Sequence, residues 1–237
     1  MFAGAYTSSQ CEVAVSTSLS DLPTHLRDDR PDIGEPECFL CNPSKDLVFA
    51  RSESFYAMAG LGPIVEGYTI LSAREHWRSF FDVPESLLGE YYEFVEIVRM
   101  RLASEYLYPI TTEHGRVPVC ASTDPTRHEP HCYHAHQLLF PVSFDFSADL
   151  RARNDPVVEA TDLSAARNQV RKISEGEYLY FEGSNHHVTV SLPAIRPARQ
   201  YFRLLVASYL GDMSLADWKA AQRRELALKA KARLKVD

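Results

Sequence analysis

Short apolar runs bounded by turn residues recur along the chain from position 47. Residues 47–50 (Leu-Val-Phe-Ala), 54–59 (Ser-Phe-Tyr-Ala-Met-Ala) and 67–73 (Gly-Tyr-Thr-Ile-Leu-Ser-Ala) predict three strands. Pro84 then opens a stretch in which Leu87, Leu88, Tyr91, Phe94, Val95, Val98 and Leu102 recur at helical spacing. That stripe predicts a core-facing amphipathic helix to about Tyr106. A strand is expected around 108–112, ahead of Glu113-His114-Gly115, and a polar loop over 116–130. The run after it alternates: Tyr133, Leu138, Leu139 and Phe140 are strand formers, and Pro141 ends the ladder. Beyond a polar insertion, the pattern predicts a helix at 161–172. A hairpin of 177–182 with 187–192 follows, turning at Gly183-Ser184-Asn185, then helices at about 196–210 and 214–234. Residues 1–34 lack periodicity and read as a loosely held arm.

Composition narrows the setting. The chain has 237 residues, 45% of them hydrophobic, enough for one large domain or one and a half small ones. The net charge of −7 argues against coating nucleic acid. The apolar runs are far shorter than the ~20 residues that span a bilayer. The first twenty residues lack the basic start and apolar segment of a secretory signal, so a cytoplasmic location is expected. The Lys/Arg-rich final helix reads as a solvated face, since no aromatic face accompanies it. Five cysteines are an odd number, and two form Cys38-Phe39-Leu40-Cys41, which favours metal or free thiols over a disulfide framework.

Five of the nine histidines fall between positions 114 and 136. In His134-Ala135-His136 the one-residue spacing puts both imidazoles on the same face of a strand. Two such rings are costly to bury without partners and suit a metal or a nucleophile. Pro36 and Pro43 flank Cys38 and Cys41, which favours a knuckle turn over a redox motif. Two thiolates need two more ligands for tetrahedral zinc. His76 and His134 are the preferred pair; His114, His128, His131 and Cys132 compete. An imidazole whose tautomer is fixed by a neighbour presents its other nitrogen as a nucleophile. Its attack on phosphorus gives a phosphoramidate and splits one hard displacement into two. His131, Gln137, backbone N–H groups and the loop Glu113-His114-Gly115 are available as oxyanion donors.

These segments, in this order, make residues 38–141 similar to the histidine triad (HIT) superfamily of nucleotide hydrolases and transferases. Cys38-x-x-Cys41 resembles its zinc motif. Phe55 to His76, through Gly60-Leu61-Gly62-Pro63 and Arg74-Glu75-His76, resembles its strand, turn, strand and closing histidine. His134-Ala-His136-Gln-Leu138-Leu-Phe-Pro141 resembles its signature. Anchoring on Pro141 makes His134 a metal ligand, His136 the nucleophile, and Leu138 the replacement for a third histidine. Anchoring on histidines makes Cys132 the first position and His134 the nucleophile, with the proline two residues late. The first register is preferred, and it also resembles the galactose-1-phosphate uridylyltransferase branch. Tyr178-Leu-Tyr-Phe, Arg196 to Arg203 and Asp217-Trp218 look like the extension of a bacterial subgroup.

The resemblance implies an α+β fold, with a five-stranded antiparallel sheet and a long helix. It implies a HIT-like domain over 35–145, with 146–237 as an extension packed on it. It also implies structural zinc at Cys38, Cys41, His76 and His134, and a nucleotidyl-histidine intermediate on His136. His134, His131 and Gln137 would assist. Glu113, His114, Gly115, Arg199 and Arg203 would bind a nucleotide-like phosphorylated small molecule. No nucleic acid or membrane partner is expected, and a homodimer fits the family. Gly60 stands where the family has an acid for the ribose. Two other readings remain open: a degenerate nucleotide-binding module, and a catalytic zinc hydrolase with Glu113 as base.

Overall fold

The computed structural model describes residues 38–117, 133–198 and 200–235. The arm 1–34 lies outside them. Among the described residues eight strands form one sheet: β1 (Val48–Arg51), β2 (Phe55–Ala59), β3 (Thr69–Ala73), β4 (Ile110–Gly115), β5 (His136–Phe140), β6 (Val157–Ala160), β7 (Tyr178–Glu182) and β8 (Val188–Ser191). Their order is β1-β2-β3-β5-β4-β7-β8-β6, and every pairing is antiparallel.

The expected count of five strands is corrected to eight. The first five strands are contiguous in the sheet, but β4 is not its edge. Thr111–Gly115 pair in register with Glu182–Tyr178, so the hairpin continues the sheet rather than resting on it. An exposed β4 edge would leave a row of unpaired amides, which β7 satisfies.

Helices cover both faces. On one face α1 (Leu88–Glu105) and α5 (Arg224–Leu234) lie over β1 and β2, and α3 (Leu163–Val170) lies over β6 and β8. Phe55, Leu71, Leu139, Tyr178 and Tyr180 belong to the core beneath them. On the other face α2 (Ser147–Ala152) and α4 (Tyr201–Tyr209) cover Ile110, Phe140, Leu179 and Phe181.

The long helix begins later than Pro84 suggests. A 3₁₀ turn at Glu85–Leu87 leads into α1. The helix expected over 214–234 is broken into a 3₁₀ turn at Met213–Ala216 and α5. The segment between them clamps the turn before β3. Gly62 donates its N–H to Gln222 O, and a Cβ on Gly62 (φ +62°) would lie 2.6 Å from Trp218 Cβ. Both α2 and β6 lie within the stretch read as a polar insertion. Among the described residues, no helix is long and apolar enough to cross a membrane.

Candidate metal centre and histidine site

Cys38, Cys41, His76 and His134 each offer one ligand atom, and these atoms lie within 4.8 Å of one another. The Cys38-x-x-Cys41 turn is closed by Cys41 N–H and Asn42 N–H donating to Cys38 O, which brings both thiols to one side. Cys41 Sγ lies 2.7 Å from His76 Nε2, and His134 Nδ1 lies 3.5 Å from Cys38 Sγ and 3.6 Å from Cys41 Sγ. Both thiols and the His134 ring are buried. His134 Nε2 lies 2.7 Å from Ala73 O, and a carbonyl can only accept, so the proton sits on Nε2. Nδ1 is therefore the lone-pair nitrogen, aimed at the thiols. Burial also pushes the His134 pKa down to about 4, toward the neutral form a ligand needs. Two thiols and two imidazoles around one centre could hold a metal ion.

His136 opens β5 two residues on. Its Nδ1 lies 2.8 Å from His134 O, so Nδ1 carries the proton and Nε2 keeps the lone pair. Burial lowers its pKa toward the neutral ring, and this outweighs the hydrogen bond to His134 O, which raises it. Alternation sends Gln137 to the face beneath α1. There Gln137 is buried, its Oε1 accepts from Tyr91 Oη at 2.9 Å, and its Nε2 has no partner among the described residues.

The segment 113–115 is strand, not loop, so its residues face opposite ways. Glu113 turns toward α1. It accepts from Phe80 N at 2.9 Å and from Tyr178 Oη at 2.8 Å, and holds the 77–82 loop to the sheet. Burial pushes its pKa up to about 8 despite those bonds. A zinc-hydrolase base is thereby corrected to a structural acid on the far face. Gly115 is a glycine because a Cβ there would lie 2.1 Å from the Tyr178 ring.

His114 turns the other way, onto the His136 face. Its Nε2 lies 3.6 Å from Glu177 Oε2, and both atoms are buried without a hydrogen-bond partner among the described residues. Burial lowers the His114 pKa, and the His136 ring is near enough to act on it electrostatically. Arg196, largely exposed, pairs with Glu177 Oε1 at 2.5 Å. Glu177 is the residue that sequence reasoning missed. Its only signal was its parity with Leu179 on a strand that had not been placed beside β4.

Arg203 is not available as a phosphate clamp. It is buried, donates to Gly62 O, Leu215 O and Ala216 O, and lies over the Tyr68 ring. His131, Cys132, His128 and Arg199 lie outside the described residues. Gly60 has a packing reason: a Cβ there would lie 2.1 Å from the Tyr68 ring. His186 and His187 sit at the hairpin turn and pair with Glu182 and Glu159.

No family model matches this chain, and no curated protein matches it. Among solved structures, a Hit-like protein involved in cell-cycle regulation from Bartonella henselae, crystallised with an unknown ligand, is 13% identical. The match covers 57% of this chain and 89% of that one, with a TM-score of 0.33. The functional reading therefore stands on the residues and their geometry.

Proposed function

We propose that this chain is a histidine triad-type nucleotide hydrolase or nucleotidyltransferase, with His136 Nε2 as the nucleophile and zinc as the structural metal. The observation that carries this reading is the pair of fixed tautomers. Main-chain carbonyls hold the proton on Nε2 of His134 and on Nδ1 of His136. The same backbone thus gives adjacent rings opposite jobs: one lone pair faces two thiols, the other remains basic. This favours the register anchored on Pro141, because a ring committed to the thiols is a poor nucleophile.

The donor set suits zinc, which accepts mixed thiolate and imidazole in tetrahedral geometry. When bound, zinc would supply no reactive position, since four protein ligands close the site; it would pin His134 and so the start of β5. His136 Nε2 then attacks phosphorus of a nucleotide-like substrate. The P–N bond forms, and the bond to the leaving oxygen or nitrogen breaks with its electron pair. Nδ1–H stays on His134 O, which spreads the charge the ring acquires. Water or an acceptor hydroxyl frees the nucleotidyl group in a second displacement. A degenerate binding module is the second reading. The Tyr68 ring over Gly60 favours it, because that ring fills the space of a ribose-binding side chain.

The test is trapping. The purified chain is mixed with α-phosphate-labelled nucleoside phosphoramidates, dinucleotides and nucleotide sugars, then quenched in base. We expect one acid-labile label per chain, about one equivalent of zinc, and labelling reduced by at least about 1,000-fold in His136→Ala. His136→Ala should keep its zinc. Tight nucleotide binding without label from any probe would leave the binding module standing in place of the enzyme.

A further inference from the structure

The two displacements make different demands on the surrounding groups. His136 attacks through a lone pair and needs no base. Water, as the second nucleophile, must lose a proton as it bonds to phosphorus, and a base within reach speeds that step. Two strands flank β5. On one side Ser72 stands opposite His136, and its hydroxyl is engaged by Ala73 O and Ala135 O, both at 3.1 Å. On the other side the β4–β5 pairing ends with Thr112 opposite Leu138, and His114 lies two residues further along β4 on the His136 face, near enough for the two rings to interact electrostatically. His114 is therefore the titratable strand neighbour of His136 among the described residues.

The atoms behind His114 are arranged but not closed. His114 and Glu177 side chains are each only 14% exposed, and their facing atoms stand 3.6 Å apart, too far for a hydrogen bond. Both are buried orphans, a costly state that a small inward shift relieves. Catalytic hydrogen bonds are often long without substrate and tighten when it binds. Arg196 holds the other Glu177 oxygen, so the carboxyl cannot turn away freely.

We propose that His114 is the base of the second step and that Glu177 positions it. This inference rests on the nucleotidyl-histidine reading above. Glu177 Oε2 accepts from His114 Nε2–H, which fixes the tautomer and leaves Nδ1 as the proton acceptor. In the step itself a water oxygen bonds to phosphorus. The P–Nε2 bond of His136 breaks, its electron pair returns to Nε2, and the water proton passes to His114 and then to bulk water. His114 is a catalytic residue in this scheme; Glu177 acts through it.

Single-turnover kinetics with a labelled nucleoside phosphoramidate separates the steps. In His114→Ala the label should form within about threefold of the wild-type rate and decay at least about 100-fold more slowly. Glu177→Gln, nearly isosteric, should slow decay by about 10-fold with formation unchanged, a split that loosened packing alone does not produce. It also tests the proposal should His114→Ala fail to fold. Wild-type decay rates in both variants, or equal slowing of both steps, overturn the assignment. A wild-type chain that never takes label overturns the nucleotidyl-histidine reading, and this one with it; a labelled wild type with unaltered variants overturns this one alone.

Discussion

The two faces of the β4–β5–β7 region treat their polar residues oppositely. On the face beneath α1 most polar groups are committed, the buried Gln137 Nε2 excepted. Arg99 pairs with Glu182 at 2.6 Å and donates to Thr111 Oγ1 at 2.8 Å. Tyr180 Oη donates to Glu182, Tyr178 Oη to Glu113, and Tyr91 Oη to Gln137. On the opposite face His136 keeps a basic nitrogen, and His114 and Glu177 face each other without bonding. Burial of a charge therefore does not mark a site by itself. Commitment to a protein partner marks architecture; two titratable atoms that face each other, buried and unbonded, are the feature the other face lacks.

The sharpest way to break this contrast is to damage the committed face. Arg99→Met strands Glu182 without its cation in a buried position. A loss of about 3–5 kcal/mol is expected, the range for removing one partner of a buried pair. Urea unfolding measures it. The folded fraction should still take label on His136 at the wild-type rate. A variant that keeps its stability but loses labelling would place Arg99 in the reaction and erase the distinction between the faces.

Glu113 gives a graded test with a definite sign. Its folded pKa is raised from 4.5 to about 8, chiefly by burial. Below pH 4.5 both folded and unfolded chains hold the proton, and the contribution is fully present. Above it the unfolded chain releases the proton while the folded chain keeps it, so stability falls with rising pH through about 8. From pH 6 to 8 the expected decline is roughly 2–3 kcal/mol. Glu113→Gln has no proton to exchange and should flatten that part of the profile, so the variant gains on the wild type as pH rises. Parallel profiles for the two chains would show that Glu113 does not bury a proton.

Much of this contrast could be read from residue parity, and the failures are failures of parity too. One-residue spacing put His134 and His136 on one face and Gln137 on the other, and the structure keeps that arrangement. Treating Glu113-His114-Gly115 as a loop removed the alternation that separates a structural acid from a site histidine. Arg99 interrupts the apolar stripe between Val95 and Leu102, a signal of a buried pair that the stripe count passed over. β6 escaped notice because it has four residues, with only Val158 and Ala160 buried. The strand total was short because nothing local in Thr111–Gly115 states that β7 will pair with it. That pairing is a long-range contact, and the sequence pattern of either strand alone is silent on its partner.

The smallest expected effect tests whether the later strands share the stability of the earlier ones. Asp162 caps α3 by accepting from Ala165 N at 2.8 Å, far along the sheet from the thiols. Asp162→Ala should cost about 1 kcal/mol. Since β7 is hydrogen-bonded to β4 along five residue pairs, that loss should shift one common unfolding transition, seen alike by tryptophan fluorescence and by far-ultraviolet dichroism. Labelling of His136 should not change, because the cap touches neither histidine. If instead the variant splits unfolding into two transitions, with the metal retained through the first, then strands β6 to β8 form a separable layer. Glu177 would then be delivered to the site by a part of the sheet that can open, and the 3.6 Å gap to His114 would be the place where that opening is felt.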